Sequence, residues 1–265
     1  VKLLPHPRTV AGLAPKAPRS AAVAALALLL SLPGCRGPRV LSGEAIAADP
    51  AGGGSSAAER LHAANATPRA VSSFSAACRL TLVTPEGETV NLDGAIVAAE
   101  PGSLRLQAWK FDRPVIDLTV TPAGRFLFAR GQEVQGGVPE GFAGIPAGGL
   151  PTLAPLLTEL PESGYQTRGP GLLAWPAAAF GVEADATIVA TLSPLGVREL
   201  AIVGPEPPEL QRIGFANHRA VGGVAWPMDW TLTGALTGTV LLEDVELNPP
   251  LPASAFEPPA SARAF

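Results

Sequence analysis

Reactive side chains are scarce in this chain. Of 265 residues, two are cysteine and three are histidine. With Cys35 and Cys78 as the only thiols, a framework of several disulfides is excluded, and so is zinc held by paired C-x-x-C. The sequence contains no H-E-x-x-H pair, no G-x-S-x-G elbow, no Walker loop and no G-x-G-x-x-G after a strand. Carboxylates are more numerous, but Glu243, Asp244 and Glu246 read as a solvated strand edge, because nothing in their spacing sets up a general acid and base. These absences leave no catalytic residue, no metal ligand and no cofactor to assign, and the chain reads as a non-enzyme.

Lysine is nearly missing too. The first 34 residues carry Lys2, Arg8, Lys16 and Arg19 with no acid, whereas beyond them Lys110 is the one lysine beside fourteen arginines and 23 acids. An acidic main body excludes nucleic acid as a partner, since phosphate neutralisation needs a basic surface. The bias toward Arg, Ala, Gly and Pro is that of a GC-rich genome. There is also no long apolar run: Ala21 to Leu32 supplies twelve residues, where a membrane-spanning helix needs about 20.

What is present organises the chain into three parts. Residues 1–34 have the layout of an export signal, with a basic region, a short apolar stretch and small residues at its end; the basic region is long, which favours a start downstream of Val1. Leu32-Pro33-Gly34-Cys35 resembles a bacterial lipobox. The resemblance implies that Cys35 is diacylated on sulfur, becomes the first residue of the exported protein and anchors it in the membrane, stable anchoring requiring more than one acyl chain. Arg36 in place of Asp favours the outer membrane. Residues 35–56, rich in Gly, Ala and Pro and ending in Gly52-Gly53-Gly54-Ser55-Ser56, read as a flexible tether.

The third part, residues 57–265, has the hydrophobic content of a folded domain: 47% of the whole chain is hydrophobic and 16% charged. Ala57 to Val71 predicts a short amphipathic helix capped by Ser55 or Ser56. Asn65-Ala66-Thr67 matches a glycosylation acceptor, which is discounted in a bacterial lipoprotein. From Ser73 the apolar period becomes two. Phe74, Ala76, Cys78, Leu80 and Leu82, then Val90 to Ala98, Leu104 to Ala108, Ile116 to Val120 and Phe126 to Phe128 make five strands joined by short turns. Cys78 falls on the apolar side of the first and reads as an inert buried thiol.

Glycine-rich residues 136–149 then lead into Leu153, Leu156, Leu157 and Leu160 at helical spacing, which predicts either a mobile lid or a connector packed on the sheet. Six more strands follow: 171–175, 187–192, 197–203, 210–217, 224–233 and 239–247. The fold class is mainly β (α+β): about eleven antiparallel strands in a curved sheet or half-open barrel, with a few short helices as lid.

Ser72-Ser73-Phe74-Ser75-Ala76, the run Leu104-Arg105-Leu106-Gln107-Ala108-Trp109-Lys110-Phe111, Phe215 through Trp226-Pro227, and Asn248-Pro249-Pro250-Leu251-Pro252 with Phe256 and Pro258-Pro259 together resemble the LolA/LolB-like lipoprotein carrier superfamily. The acylated form resembles LolB in topology. The resemblance implies an incomplete barrel of about eleven strands whose apolar concavity receives the acyl chains of lipids or lipoproteins, with a periplasmic carrier protein as a possible partner. Leu80, Leu92, Ile96, Leu104, Leu106, Ile116, Leu118 and Val120 are the candidate lining. Trp109, Lys110 and Phe111, opposite in parity or at the end of the strand, are candidates for the mouth or the convex face, where Lys110 would meet lipid headgroups. No residue stands out as the protruding apolar loop residue of a LolB-like protein. The alternative is a structural or protein-binding envelope lipoprotein whose barrel is filled by its own side chains.

Overall fold

The computed structural model describes residues 55–83, 87–100, 102–129, 156–180, 185–204, 209–234 and 236–264. All of them belong to one compact unit, Leu41–Phe265. Cys35, most of the tether, the 136–149 glycine segment and Leu153 lie outside the described residues.

Helix α1 (Ala57–Ala64) begins at a capping box: the Ser56 hydroxyl accepts from the Glu59 N–H at 3.2 Å and the Glu59 carboxylate accepts from the Ser56 N–H at 2.7 Å. A second helix, α2 (Ala66–Ala70), follows at once. The expected single helix is therefore broken at Asn65, whose side chain is taken up elsewhere. Its amide clamps the backbone of Leu160, accepting from the Leu160 N–H at 2.8 Å and donating to the Leu160 carbonyl at 2.9 Å, in a fully buried site. The acceptor-like Asn-Ala-Thr sequence thus serves the core.

The strands are β1 (Ser73–Val83), β2 (Thr89–Ala99), β3 (Ser103–Lys110), β4 (Arg113–Thr121), β5 (Gly124–Ala129), β6 (Gln166–Gly169), β7 (Leu172–Pro176), β8 (Thr187–Ser193), β9 (Gly196–Val203), β10 (Glu209–Val221), β11 (Val224–Gly234), β12 (Thr237–Leu247) and β13 (Arg263–Ala264). They form one open sheet in the order β13-β5-β4-β3-β2-β1-β12-β11-β10-β9-β8-β7-β6, antiparallel throughout. Eleven of the thirteen are the expected strands. The two additions are the short rim strands β6 and β13. Two meanders, β1 to β5 and β6 to β12, meet at the β1–β12 ladder, so the chain between β5 and β6 joins one rim of the sheet to the other.

Near the end of that connection Leu156, Leu157 and Leu160 are buried in the main core. Leu156 is in 3-10 conformation, and residues 157–160 continue without helix. This end of the expected lid is a packed connector, pinned by Asn65.

Three tryptophans, Trp175, Trp226 and Trp230, are fully buried with Phe74 in the same core. Rings meet edge-on or tilted: Phe74 lies 5.0 Å from Trp226 and 6.2 Å from Trp230, and Phe215 lies 5.9 Å from Trp230. Each such side chain contributes on the order of 2 kcal/mol of burial, with edge contacts adding to it. The ladder between β11 and β12 runs only from Asp229 opposite Leu241 to Leu232 opposite Gly238. Beyond it β11 stays with β10 and β12 with β1, so the sheet forks, and the Phe74–Trp226 contact bridges the fork.

Candidate functional site

Strand alternation sorts β1 to β5 into two faces of opposite character. On one, register sets Leu80 beside Leu92, Ile96 beside Leu106, Ala98 beside Leu104, Leu104 beside Val120, Leu106 beside Leu118, Ala108 beside Ile116 and Leu118 beside Leu127. Leu80, Leu92, Ile96, Leu104, Leu106, Ile116 and Leu118 are buried, and Val120 is partly buried against the same cluster. The eight residues read from the sequence thus form one continuous apolar face across four adjacent strands.

A row of small residues, Cys78, Gly94 and Ala108, crosses this face. A Cβ at Gly94 would sit 2.5 Å from a Leu80 methyl, 2.8 Å from the Gln107 carbonyl oxygen and 3.0 Å from the Cys78 sulfur, distances that require a glycine. Cys78 is buried, and that burial, with smaller contributions from the negative charges of Glu243 and Asp93, pushes its thiol up to about 12. Such a group is neutral and unreactive at ordinary pH.

The opposite face of β3 and β4 is polar yet covered. Asp117 accepts from Arg105 Nε at 3.0 Å and Nη2 at 2.7 Å, from Gln107 at 2.8 Å and from the Thr119 hydroxyl at 3.3 Å. Arg105 also donates to the Ala255 carbonyl at 3.3 Å, holding the 3-10 turn Ala253–Phe256 against β3 and β4. The chain then continues to β13, which adds to the rim of β5. No sequence signal marked this clasp; Arg105 and Gln107 only alternate with the apolar residues of the strand.

Trp109 shares the outer face with Gln107 and Arg105, stands opposite Asp93 and is half-buried. Lys110 pairs with Arg113 across a two-residue turn made by Phe111 and Asp112, both at positive φ, 51° and 58°, the geometry of a tight hairpin turn. Phe111 is 86% exposed at its tip, with the Lys110 ammonium 5.9 Å from its ring centre. The structure therefore separates the three mouth candidates: Trp109 lies on the outer face, and Lys110 and Phe111 stand at the hairpin tip. Phe111, named from the sequence as a mouth candidate, is thus an exposed aromatic on a tight turn.

The remaining ionisable candidates are dispersed. Glu243, Asp244 and Glu246 are exposed on β12, Glu243 pairing with Arg79 at 3.0 Å. His62 Nδ1 lies 3.2 Å from Arg69, which also bridges Glu159 and Glu162. His218 is partly buried on β10, and loss of water lowers its pKa from the usual value. Among the described residues no group of three or more His, Cys, Asp or Glu could hold a metal ion, and no helix is long and apolar enough to cross a membrane.

The architecture defines a class first: an open antiparallel half-barrel with short helices and one apolar face. Known structures of this kind are similar to it. A DUF1329 family protein from Desulfovibrio piger is 10% identical, with 76% of this chain and 94% of that chain covered at a TM-score of 0.51. A LolA superfamily protein from Nitrosomonas europaea is 9% identical over 77% of this chain and 99% of that one, at 0.47. A domain from Vibrio parahaemolyticus assigned to outer membrane lipoprotein sorting is 11% identical over 76% and 97%, at 0.49. At these identities the match to the Desulfovibrio piger structure shows a likeness of fold alone. No family model and no curated protein matches the chain.

Proposed function

We propose that this protein is an exported envelope lipoprotein that holds the acyl chains of lipids or acylated proteins on the apolar face of its half-barrel, serving lipid or lipoprotein traffic to the outer membrane. Acylated Cys35 anchors it, and the 36–56 tether gives the folded domain reach. The observation that carries the reading is the continuous face from Leu80 to Val120, apolar across β1 to β4 with no charged side chain in it. Each methylene withdrawn from water onto such a face contributes about 0.8 kcal/mol, so acyl chains are held without specific polar recognition, and transfer to a carrier partner follows from a difference in affinity. The Lys110–Phe111 tip suits contact with a membrane, an aromatic ring entering the interface beside a cation that meets anionic headgroups.

The alternative, a filled barrel with no ligand, is favoured by one observation: seven of the eight face residues are already buried. Native mass spectrometry separates the two. Every contact described above lies inside Leu41–Phe265, a unit with its own core, and that unit is purified without detergent from the envelope. Extra mass that solvent extraction removes, matching phospholipid or acyl peptide, is the expected result. A bare protein that stays bare when offered lipid selects the filled barrel.

A further inference from the structure

Strands β10 and β11 outrun their neighbours. The ladder between β10 and β9 ends at Gly214 opposite Glu199, and that between β11 and β12 begins only at Asp229 opposite Leu241. In between, β10 and β11 pair with each other alone, through His218 with Pro227, Arg219 with Trp226, Ala220 with Ala225 and Val221 with Val224, closed by Gly222-Gly223 at φ 56° and 85°. Because β9 begins at Gly196, its register would be used up opposite Asn217 even if the ladder ran on. His218 to Val221 therefore overhang the turn between β8 and β9, with one row of backbone groups facing water.

Other free edges of the sheet are guarded in the ways natural sheets use. Rim strand β6 is short and polar, and β5 carries β13. Past the fork β12 bears Glu243, Asp244 and Glu246, exposed. On the β11 side of the ribbon Pro227 has no N–H, and its carbonyl is taken by the Trp230 indole at 3.2 Å. His218 to Val221 have neither proline nor lysine nor a covering strand.

This edge also holds an unmatched charge. Arg219 is the one half-buried arginine with no hydrogen bond or ion pair among the described residues, whereas Arg105 and Arg212 meet carboxylates at 2.7 and 3.2 Å. Carboxylates are not in short supply, with 23 acids to 19 cations in the chain. Lying opposite Trp226, Arg219 points to the same side of the ribbon as that indole.

We propose that β10 beyond Asn217 is a docking edge for an extended acidic segment of a partner protein, which adds as a strand along His218–Val221 and sets an Asp or Glu against Arg219. Main-chain hydrogen bonds supply the affinity and the carboxylate the selectivity, since side chains opposite or diagonal on adjacent strands are within reach. A small anion would use Arg219 and leave the backbone row idle. Strand addition needs an open edge and no cavity, and it is independent of acyl binding.

The test pans a phage-displayed library of random linear peptides against the full chain. Enriched peptides should carry an Asp or Glu among β-branched residues, and synthetic copies should slow hydrogen exchange at amides within His218–Val221. Arg219→Gln should weaken them about tenfold. A library without binders, binders without an acid, protection at β6 or the rim of β5 instead, or affinity untouched by Arg219→Gln overturns the proposal. So does protection of the edge in wild type alone that deepens with protein concentration, which would place a second copy there. Should the variant fail to fold, wild type decides: replacing the peptide's acid by its amide must weaken binding and lift the protection, and an unchanged footprint overturns the pairing with Arg219.

Discussion

Leu104, Leu106 and Ile116 on one side of the β3–β4 hairpin, and Arg105, Gln107 and Asp117 on the other, are neighbours in sequence that reach burial by opposite routes. The first group is withdrawn from water with its apolar neighbours on β1, β2 and β5. The second is covered by a segment some 140 residues downstream and tolerates it because Asp117 receives four hydrogen bonds and Arg105 is neutralised in place. The difference concerns fault tolerance. An apolar face loses stability in proportion to what is removed, whereas a buried ionic clasp fails as a unit.

Removing one member of the clasp should therefore have the largest effect. Asp117→Ala strands a guanidinium whose side chain is 13% exposed in a site where the carboxylate was 7% exposed, and urea unfolding should report a loss of about 3–5 kcal/mol. Replacing both partners, Arg105→Met with Asp117→Leu, should recover most of that loss, since no charge is left unpaired. A double variant as unstable as the single one would show that the cost lies in packing under Ala255. On the apolar side Leu80→Ala should cost about 3 kcal/mol by the same measurement; a loss below 1 kcal/mol would mean that the face is a loosely filled hollow, and would weaken the filled-barrel alternative.

The row of small residues gives a smaller, pH-dependent effect. The folded state holds the Cys78 proton up to about 12 while the unfolded chain releases it near 9.0. The native state then binds more protons within that window, and stability must fall as pH rises through it, by about 1.4 kcal/mol per unit. Cys78→Ala should remove this part of the slope in denaturation curves taken between pH 9 and 10.5. The smallest effect on stability belongs to the tip. Phe111→Ser should stay within about 0.5 kcal/mol of wild type and yet weaken sedimentation with anionic vesicles; undiminished binding would take the tip out of membrane contact.

Eleven strands were legible because their apolar residues fall two apart, and the parity that separated Leu104 and Leu106 from Arg105 and Gln107 is the parity of the two faces. Rim strand β6 was not, since Gln166-Thr167-Arg168-Gly169 is polar and carries no alternation, and β13 is two residues long. The break at Asn65 could not be seen because its cause, the Leu160 backbone, is 95 residues away. The burial of Asp117 and Thr119 was out of sight for a similar reason: alternation shows which residues share a face and is silent on what later covers it. For the candidate surfaces the same logic holds, with the apolar lining visible in the spacing and the free edge of β10 visible only once its ladders were laid out.

The fork between β11 and β12 also governs how the sheet yields. Elsewhere, widening the half-barrel means lengthening a row of backbone hydrogen bonds, and the sheet is stiff. Past Asp229 and Leu241 that row has ended, and the two arms are held by ring contacts such as Phe74 with Trp226. Such contacts loosen by about 0.1–0.2 kcal/mol per atom pair, a gradual resistance in place of an abrupt one. The fold thus contains a compliant wedge between stiff ladders, where the two arms can part by sliding rings while every ladder stays whole.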